Sequence, residues 1–545
     1  MDREWRLDTY KETVTWVGIY QAPNRDDLLH FSSQAQALTK RIIGSPYCVT
    51  HWSARAHLLQ RLRYPELSVG DAYKVRLLLE AVKARSDLGD KVILAHREFL
   101  RTNQTELRDI AIQESLDIDN LRAGILDLLD LKSWICLVEG LFYAHATADS
   151  LDVCREGLNI YPNDPGLLWW REVIEEHLDL KRKSIPPTGE ASRDSTIRNG
   201  GVYMRQYPWM SVDELRRSDS LVEKLKNEFV EASKGKCTVD RTRLSDHDRS
   251  AEDLGVFATQ DIPADDVVLI DVTSIGVSND PNSCPTCSIN LQDRPPDIQC
   301  IFPAEPRSLP CCNERYCSSI CATLALQTFH PPICGTDLSF LPPIRDPDTS
   351  RPPSDYWCNS WPLLSRLLLR CIAFAVHTDT HPLYTTLLSR FKASYTGDHR
   401  LVFNFSNIVD AFKILQNLNI DIFADLRFDT WVLHTIQCRI ANNKSGIDTI
   451  DGYEFVHVNP LYCFLNHDCE PNSLQLPQMD TCSIEFIVAK RDIKKGEQIF
   501  TSYLSQEGLD LPWEARQEEL FRWIRGDCGC ERCMKEAPKG QLATL

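Results

Sequence analysis

The sequence predicts a multidomain α+β protein: an α-helical N-terminal region, a β-rich core interrupted by two insertions, and a cysteine-containing tail. Three observations lead to this prediction. Apolar residues recur at three- and four-residue steps through roughly the first 180 residues, as in AYKVRLLLEAVKAR, which is typical of helices. The segment LGVFATQDIPADDVVLIDVTSIGV then alternates apolar and polar residues between turn formers, which is typical of strands. Cysteines cluster in the middle of the chain and again near its end.

Length and composition narrow the function classes. A chain of 545 residues with 43% hydrophobic and 25% charged residues is expected to fold into two or three globular domains. Its formal charge of −17 disfavours nucleic-acid binding through bulk electrostatics. The N-terminus lacks an apolar signal-peptide core, and no run of eighteen apolar residues occurs, so we expect no membrane association and a nuclear or cytoplasmic location.

Changes of texture along the chain predict the domain boundaries. Residues 1–180 form the helical region and 181–240 a linker with one short helix. Residues 241–505 form the split core, whose insertions are a cysteine-rich segment at 284–334 and a helical segment at 360–441. Residues 506–545 form the tail.

The end of the helical region partly matches a tetratricopeptide repeat (TPR), although Val138 stands where a small residue is expected. A generic helical bundle explains the same pattern equally well, so the TPR-like assignment and the bundle both stay open. The matching positions are Trp134, Leu137, Leu141, Cys154, Gly157 and Pro162.

Cysteine usage points to metal binding. The chain has 21 cysteines and no export signal, so disulfides are not expected. Only four cysteines lie in the first 240 residues. Scattered ones such as Cys371 and Cys438 are expected to be small buried apolar residues, whereas the clustered ones predict zinc sites.

Three short motifs occur in a fixed order. They are LGVFATQDI at 254–262, NHDCEPN at 466–472 and KGEQIFTSY at 495–503. Together with the CGCERC segment at 528–533, they resemble the SET-domain protein lysine methyltransferases. The resemblance implies methyl transfer from S-adenosylmethionine to a protein lysine.

The resemblance also implies roles for single residues. Tyr503 takes the catalytic position, where a hydroxyl can orient the substrate amine. The amine must lose its proton first, and an apolar channel favours this by desolvation. Asn442 is an alternative to Asn443 in the cofactor set, and the Asn-His pair is expected to act partly through backbone groups, in a knot-like pocket. The implied cofactor-binding residues are Gly255, Phe257, Asn443, Asn466 and His467.

The tail cysteines supply three zinc ligands, and a tetrahedral site needs four. In the family that the chain resembles, the fourth ligand is the cysteine of the Asn-His motif. This implies one zinc ion that ties the tail to the active site. Its ligands would be Cys469, Cys528, Cys530 and Cys533.

The middle cluster resembles a MYND zinc module with two interleaved sites. Ser308 stands where this module usually has a cysteine, which leaves Cys300 and Cys312 as candidate replacements and a weak second site as the alternative. The family uses the module to bind proteins, often proline-rich peptides; a purely structural zinc lobe is the alternative. The implied ligands are Cys284, Cys287, Cys317 and Cys321 for one ion, and Cys311, His330 and Cys334 for the other.

The whole pattern resembles the SET- and MYND-domain methyltransferases, particularly fungal types with an N-terminal helical region. Three departures stand out: Asp253 replaces a glycine, Asp265-Asp266 lacks a turn glycine, and Gly526 replaces an aromatic residue that walls the channel. A non-catalytic adaptor, with TPR-like and MYND-like modules binding peptides on a SET scaffold, is therefore the second hypothesis. A zinc-dependent transcription factor fits the acidic charge less well. The substrate would be a histone or another protein with an accessible lysine.

Overall fold

The N-terminal region is helical in the computed structural model, which describes residues 25–184, 199–242, 253–278, 280, 282–288, 291, 307–341, 361–391, 400–448, 454–476, 484–524 and 527–538. Cys300 and Gly526 lie outside the described residues. The last helix of this region ends at Ser184, inside the segment 181–240 that the sequence predicts as a linker. The helices are α1 (Arg25–Gly44), α2 (Val49–Arg61), α3 (Pro65–Lys83), α4 (Asp87–Thr102), α5 (Gln104–Gln113), α6 (Ile118–Tyr143), α7 (Thr147–Ile160) and α8 (Pro165–Ser184).

Helices α6, α7 and α8 contain the TPR-like segment. A Cβ added at Gly157 would lie 3.4 Å from Trp134 Cγ and 3.1 Å from Leu167 Cδ1, so the glycine allows α7 to approach its neighbours closely. Trp134 is buried at this contact. A generic antiparallel bundle would use a small residue in the same way, and the TPR-like assignment stays a prediction.

A mixed helix and strand region follows. Its first helices are α9 (Val212–Leu215) and α10 (Asp219–Ala232). The cysteine-rich insertion holds α11 (Ser319–Gln327) and α12 (His330–Ile333), and the second insertion holds α13 (Trp361–His377), α14 (Ser406–Asn417) and α15 (Thr430–Asn443). The tail holds α16 (Gln506–Leu509), α17 (Trp513–Ile524) and α18 (Glu531–Glu536).

The strands form small sheets rather than one large one. In order along the chain they are β1 (Gly200–Tyr203), β2 (Cys237–Thr242), β3 (Asp253–Ala258), β4 (Val267–Val272), β5 (Ile275–Ser278), β6 (Arg307–Ser308), β7 (Arg315–Tyr316), β8 (Arg400–Phe403), β9 (Ser445–Asp448), β10 (Glu454–Val458), β11 (Asn466–His467), β12 (Ser473–Gln475), β13 (Ile484–Ala489) and β14 (Gln498–Thr501). The sheet orders are β11-β14-β3-β2, β12-β13-β4, β5-β10-β9, β1-β8 and β6-β7.

Strand β8 was not predicted. It lies inside the second insertion, where the sequence predicts only helices, and it pairs antiparallel with β1. A four-residue strand has little local signal, because its stability comes from a partner that is distant in the chain. This pairing ties the insertion to the segment that precedes the core.

The N-terminal helices share a buried ion network with the second insertion. Arg55 binds Asp71 through two hydrogen bonds of 2.6 and 2.8 Å, and it contacts Asp429 at 3.0 Å. Lys74, whose side chain is fully buried, also donates to Asp429 at 2.9 Å. Asp429 is the N-cap of α15. Since removing one partner of a buried pair is costly, this network fixes α15 against α2 and α3.

Two turns at the edge of the core differ in their residue type. Asp265 has φ = 65°, and Gly496 has φ = 84°. Aspartate is one of the few side chains that enter this left-handed region at modest cost. The turn at Asp265 therefore forms without the glycine that the resemblance leads one to expect.

Across the described residues, every helix is too short or too polar to cross a membrane.

Candidate active site and metal centres

The three motifs lie on strands β3, β11 and β14 of one sheet, in which β14 is the middle strand of the three. Strand β11 lies parallel to β14, with Asn466 opposite Phe500 and His467 opposite Thr501. Strand β14 in turn pairs with β3, which carries the first motif. The side-chain Nδ2 of Asn466 donates to the Leu254 carbonyl at 3.0 Å and so joins the first motif to the second directly.

Asn472, the last residue of the NHDCEPN motif, fastens this segment to β14. Its Nδ2 donates to the Gln498 carbonyl at 2.8 Å, and its Oδ1 accepts from the Phe500 amide at 2.8 Å. The side chain is buried. The motif by itself predicts no role for Asn472, whose side chain binds the backbone of β14 through these two hydrogen bonds.

The phenol of Tyr503 points to the backbone just before the Asn-His pair. Its hydroxyl donates to the Leu465 carbonyl at 2.8 Å. Burial raises the pKa of Tyr503, and the nearby Tyr462, Cys463 and Asp253 raise it further. The hydroxyl therefore stays protonated, so it can orient a substrate group by hydrogen bonding but cannot serve as a base near neutral pH.

The imidazole of His467 lies between Tyr503 and the tail. The backbone N–H of Tyr503 donates to His467 Nδ1 at 3.0 Å, and His467 Nε2 lies 3.3 Å from Cys469 Sγ. Burial lowers the pKa of His467 to about 4. Both ring nitrogens are thus engaged within the protein.

Gly255 and Phe257 lie on β3. A Cβ at Gly255 would come within 2.5 Å of Gln498 Nε2 and 3.1 Å of Thr242 Cγ2, so a larger residue here would have to displace the Gln498 side-chain amide. Phe257 is half-buried and stands opposite Gln498 and Thr238 in the strand register. Contact of either residue with a cofactor stays a prediction.

Asn443 is the last residue of α15. Its Nδ2 donates to the Arg439 carbonyl at 2.8 Å, one turn back in the helix. Asn442 precedes it at the same helix end, and β9 begins two residues later. The choice between the two asparagines stays open.

The tail cluster joins the Asn-His motif to the last helix of the chain. The four Sγ atoms of Cys469, Cys528, Cys530 and Cys533 all lie within 4.8 Å of one another, and three of the residues are buried. Four converging thiolates match the ligand set of a structural zinc site, so the donor chemistry fits this ion.

Arg516 of α17 contacts the same cluster. Its NH2 lies 3.5 Å from Cys533 Sγ and 2.5 Å from a Glu536 carboxylate oxygen, and its NH1 donates to the Leu511 carbonyl at 2.7 Å. The guanidinium is almost fully buried. Zinc with four thiolates carries a net charge of −2, which an adjacent cation stabilises. The sequence does not predict this contact with the cysteine cluster, because Arg516 is one of several charged residues on an amphipathic helix.

The first cluster of the cysteine-rich insertion groups the four predicted residues. Their Sγ atoms also lie within 4.8 Å of one another. Cys317 Sγ is 3.5 Å from both Cys287 Sγ and Cys321 Sγ. Ser318 caps α11 by accepting from the Cys321 amide, which sets the direction of that cysteine. The group comprises Cys284, Cys287, Cys317 and Cys321.

The second cluster of the insertion contains Cys312 beside the three residues named from the sequence. His330 Nε2 lies 3.3 Å from Cys311 Sγ and 3.7 Å from Cys312 Sγ. Its Nδ1 faces Glu314 at 3.0 Å. A carboxylate behind the distal nitrogen is the usual support for a histidine zinc ligand. The donor set Cys311, Cys312, His330 and Cys334 therefore fits zinc as well.

Comparisons with known proteins agree with this arrangement. Residues 253–504 match the SET domain family. "SET domain and MYND-type zinc finger protein 6" of Schizosaccharomyces pombe is 35% identical over 103 residues, which cover 18% of this chain and 19% of that protein. "Histone-lysine N-methyltransferase SET5" of Yarrowia lipolytica is 34% identical over 92 residues, covering 17% and 19%.

These alignments span about a fifth of each relative's length. The SET-domain match covers all three motifs and Tyr503. It confirms the resemblance inferred from those motifs. Residues 253–504 thus form a SET domain, in a chain that is similar over part of its length to these two fungal proteins.

Proposed function

We propose that this protein transfers a methyl group from S-adenosylmethionine to lysine side chains of other proteins. The observation that carries the proposal is the position of Tyr503: its half-buried hydroxyl lies 2.8 Å from the Leu465 carbonyl, directly before the Asn466-His467 strand. A scaffold without activity has no need of a phenol held at this point. The SET-domain match and the printed name of the Yarrowia lipolytica relative support the same activity.

Tyr503 orients the substrate amine in this proposal. Its O–H donates a hydrogen bond to the Leu465 carbonyl. The lone pairs of the phenolic oxygen therefore stay available to accept a hydrogen bond from an N–H of the incoming amine. Lysine has a pKa near ~10.4 in water, and the apolar surroundings that raise the pKa of Tyr503 would lower that of a lysine. The same burial thus favours the neutral amine that the reaction requires.

The cofactor supplies an electrophilic methyl group when it is bound. Gly255, Phe257, Asn443, Asn466 and His467 are the residues proposed to hold it. Asn466 and His467 would contribute mainly backbone groups, because the Asn466 amide is bound to Leu254 and the His467 ring to Tyr503 and Cys469.

Zinc would occupy the three cysteine clusters and stabilise the folds around them. The insertion clusters would shape a peptide-binding module of the MYND type, the kind of zinc finger that the name of the Schizosaccharomyces pombe relative contains. Histones are one substrate class, suggested by the name of the Yarrowia lipolytica relative, and flexible lysine-containing segments of other proteins are equally suitable.

The test is cofactor binding by calorimetry on zinc-replete protein, followed by transfer of labelled methyl groups to a histone and proteome mixture. We expect Asn466→Ala to weaken cofactor binding, because it cuts the link to Leu254. Tyr503→Phe should lower the rate of transfer by about 100-fold, since orientation of a reacting group is worth factors of this size, and leave cofactor binding largely intact. Tyr161→Phe is the matched control, because it removes a hydroxyl bonded to Asp130 outside the SET domain.

An absence of cofactor binding in a folded, metal-loaded sample would contradict the proposal and favour the adaptor. Asp253 would then be the first residue to examine, because its carboxylate lies close enough to raise the pKa of Tyr503. Cofactor binding by an Asp253→Gly variant would then test whether the Asp253 carboxylate prevents binding.

A further inference from the structure

We propose that His467 is a positioning residue, whose imidazole couples the metal cluster of the tail to the backbone of the catalytic tyrosine. The inference deepens the proposed function and rests on it for the role of Tyr503. It assigns the His467 ring a task distinct from cofactor contact. Loading of the tail site would then control how Tyr503 is held.

The hydrogen bonds of the ring determine its tautomer. The Tyr503 N–H points at Nδ1 from 3.0 Å, so Nδ1 must carry a lone pair. An imidazole that accepts at Nδ1 carries its only proton on Nε2. That Nε2–H faces Cys469 Sγ at 3.3 Å, within range of an N–H···S hydrogen bond.

The acceptor at the other end depends on the cluster. A cysteine that binds zinc does so as a thiolate, which accepts hydrogen bonds far better than a thiol does. Cys469 Sγ is one of the four converging sulfur atoms and lies 3.5 Å from Cys533 Sγ. Loss of the metal would release this sulfur from its fixed position, and the ring would lose the hydrogen-bond partner of its Nε2–H.

The consequence reaches Tyr503 through its backbone. The His467 bond is made to the amide of Tyr503, and the hydroxyl of the same residue is bound to Leu465, two residues before His467. The rings of His467 and Tyr503 also pack with centroids 5.4 Å apart. An imidazole that rotates after losing Cys469 would therefore shift both ends of the tyrosine at once.

The chain offers a matched pair without such a cluster. His434 Nε2 lies 3.4 Å from Cys438 Sγ, four residues along α15. Both residues are buried, and within the described part of the chain Cys438 belongs to none of the three metal-binding groups. This histidine and cysteine have the same contact but no metal to control it.

The experiment is NMR of the full-length protein with ¹⁵N-labelled histidine and tyrosine. His467→Phe identifies the His467 ring signals and Tyr503→Phe identifies the Tyr503 amide. In the zinc-replete wild type, His467 should show a proton on Nε2. In Cys528→Ser, which removes one tail ligand, the His467 ring and Tyr503 amide signals should both move. Neither should move in Cys317→Ser, which removes a ligand of the insertion.

Kinetics separate positioning from cofactor binding. His467→Phe keeps the ring shape and the backbone but removes both nitrogens. It should lower kcat on the order of 10- to 100-fold, as expected for a misplaced catalytic group, with less than about a twofold change in cofactor affinity. His434→Phe should not move the Tyr503 amide signal.

Unchanged His467 and Tyr503 signals in Cys528→Ser, or equal changes in Cys317→Ser, would overturn the inference even if the protein is active. Coupled signals in a protein that transfers no methyl group would sink the proposed function and keep the coupling. Should His467→Phe fail to fold, the comparison of the two cysteine variants decides the question by itself.

Discussion

The tail cluster and the second cluster of the insertion use similar ligands in different settings. Each brings four donors within 4.8 Å of one another. In the tail the cysteines are mostly buried, and Cys469 contacts His467 of the active site. In the insertion Cys311 is exposed, and His330 is supported by Glu314.

The difference indicates that the contacts around each cluster decide what a bound metal would do for the protein. Cys469 lies two residues from His467 and is linked through it to Tyr503, so a metal bound in the tail would act on the candidate catalytic centre. Glu314 and Tyr316 contact His330 from within the insertion itself. We therefore expect the two sites to respond differently to the same kind of substitution.

The largest expected contrast is between loss of a tail ligand and loss of an insertion ligand. Cys533→Ser should remove about one zinc ion per chain and lower methyl transfer on the order of 100-fold, because Tyr503 loses its support. Cys334→Ser should also remove about one zinc ion but change transfer to a short peptide much less. Metal content by atomic absorption and transfer rates measure both; equal losses of transfer would break the comparison.

A smaller effect is expected at Arg516. Arg516→Leu removes the cation beside the tail cluster and leaves its charge uncompensated. Breaking a buried pair costs about 3–5 kcal/mol, but Glu536 is 38% exposed, so we expect about 2 kcal/mol in the free energy of unfolding. Urea unfolding measures this loss, and zinc transfer to a chelator should be faster. Arg516→Lys, which keeps the charge, is the control; a stability equal to wild type in Arg516→Leu would contradict the role.

The smallest effect on the candidate catalytic centre is expected from a substitution behind the insertion site. Glu314→Gln removes the carboxylate that faces His330 Nδ1 at 3.0 Å but keeps the shape. Zinc affinity at that site should fall about 10- to 100-fold, as is usual for such supporting residues. Competition with a chelator would measure it, with the tail site as internal reference. The Tyr503 amide signal should be unaffected, and a shift there would show that the two regions are coupled after all.

Several features could be predicted from the sequence because they are local or carried by motifs. The change from helical to strand periodicity predicts the order of regions, and the three motifs predict the SET domain, which the family match confirms. Cysteine spacing predicts most of the sulfur atoms that converge, because thiolates that share a metal recur at short intervals, and the family resemblance adds Cys469 to the tail group. The assigned ligand and cofactor roles stay predictions.

Other features depend on segments that meet only in the folded chain. Cys312 joins its cluster because the β6-β7 hairpin turns it toward His330, and spacing alone left Cys300 equally open. The N-terminal helices are bonded to α15 through Asp429, more than 350 positions from Arg55 and Lys74. No pattern along the chain encodes such a contact, because each charge reads as a solvated surface residue.

The sequence by itself thus determined the residue types of the candidate site: a tyrosine, an Asn-His pair and three groups of cysteine and histidine residues. Only the tertiary structure decided what each side chain touches. His467 faces Tyr503 across 36 positions of the chain, and Arg516 reaches Cys533 across 17. The physical reason is that hydrogen bonds and charge pairs act over a few ångströms in space, whereas sequence patterns report only periodicity and chemistry along the chain.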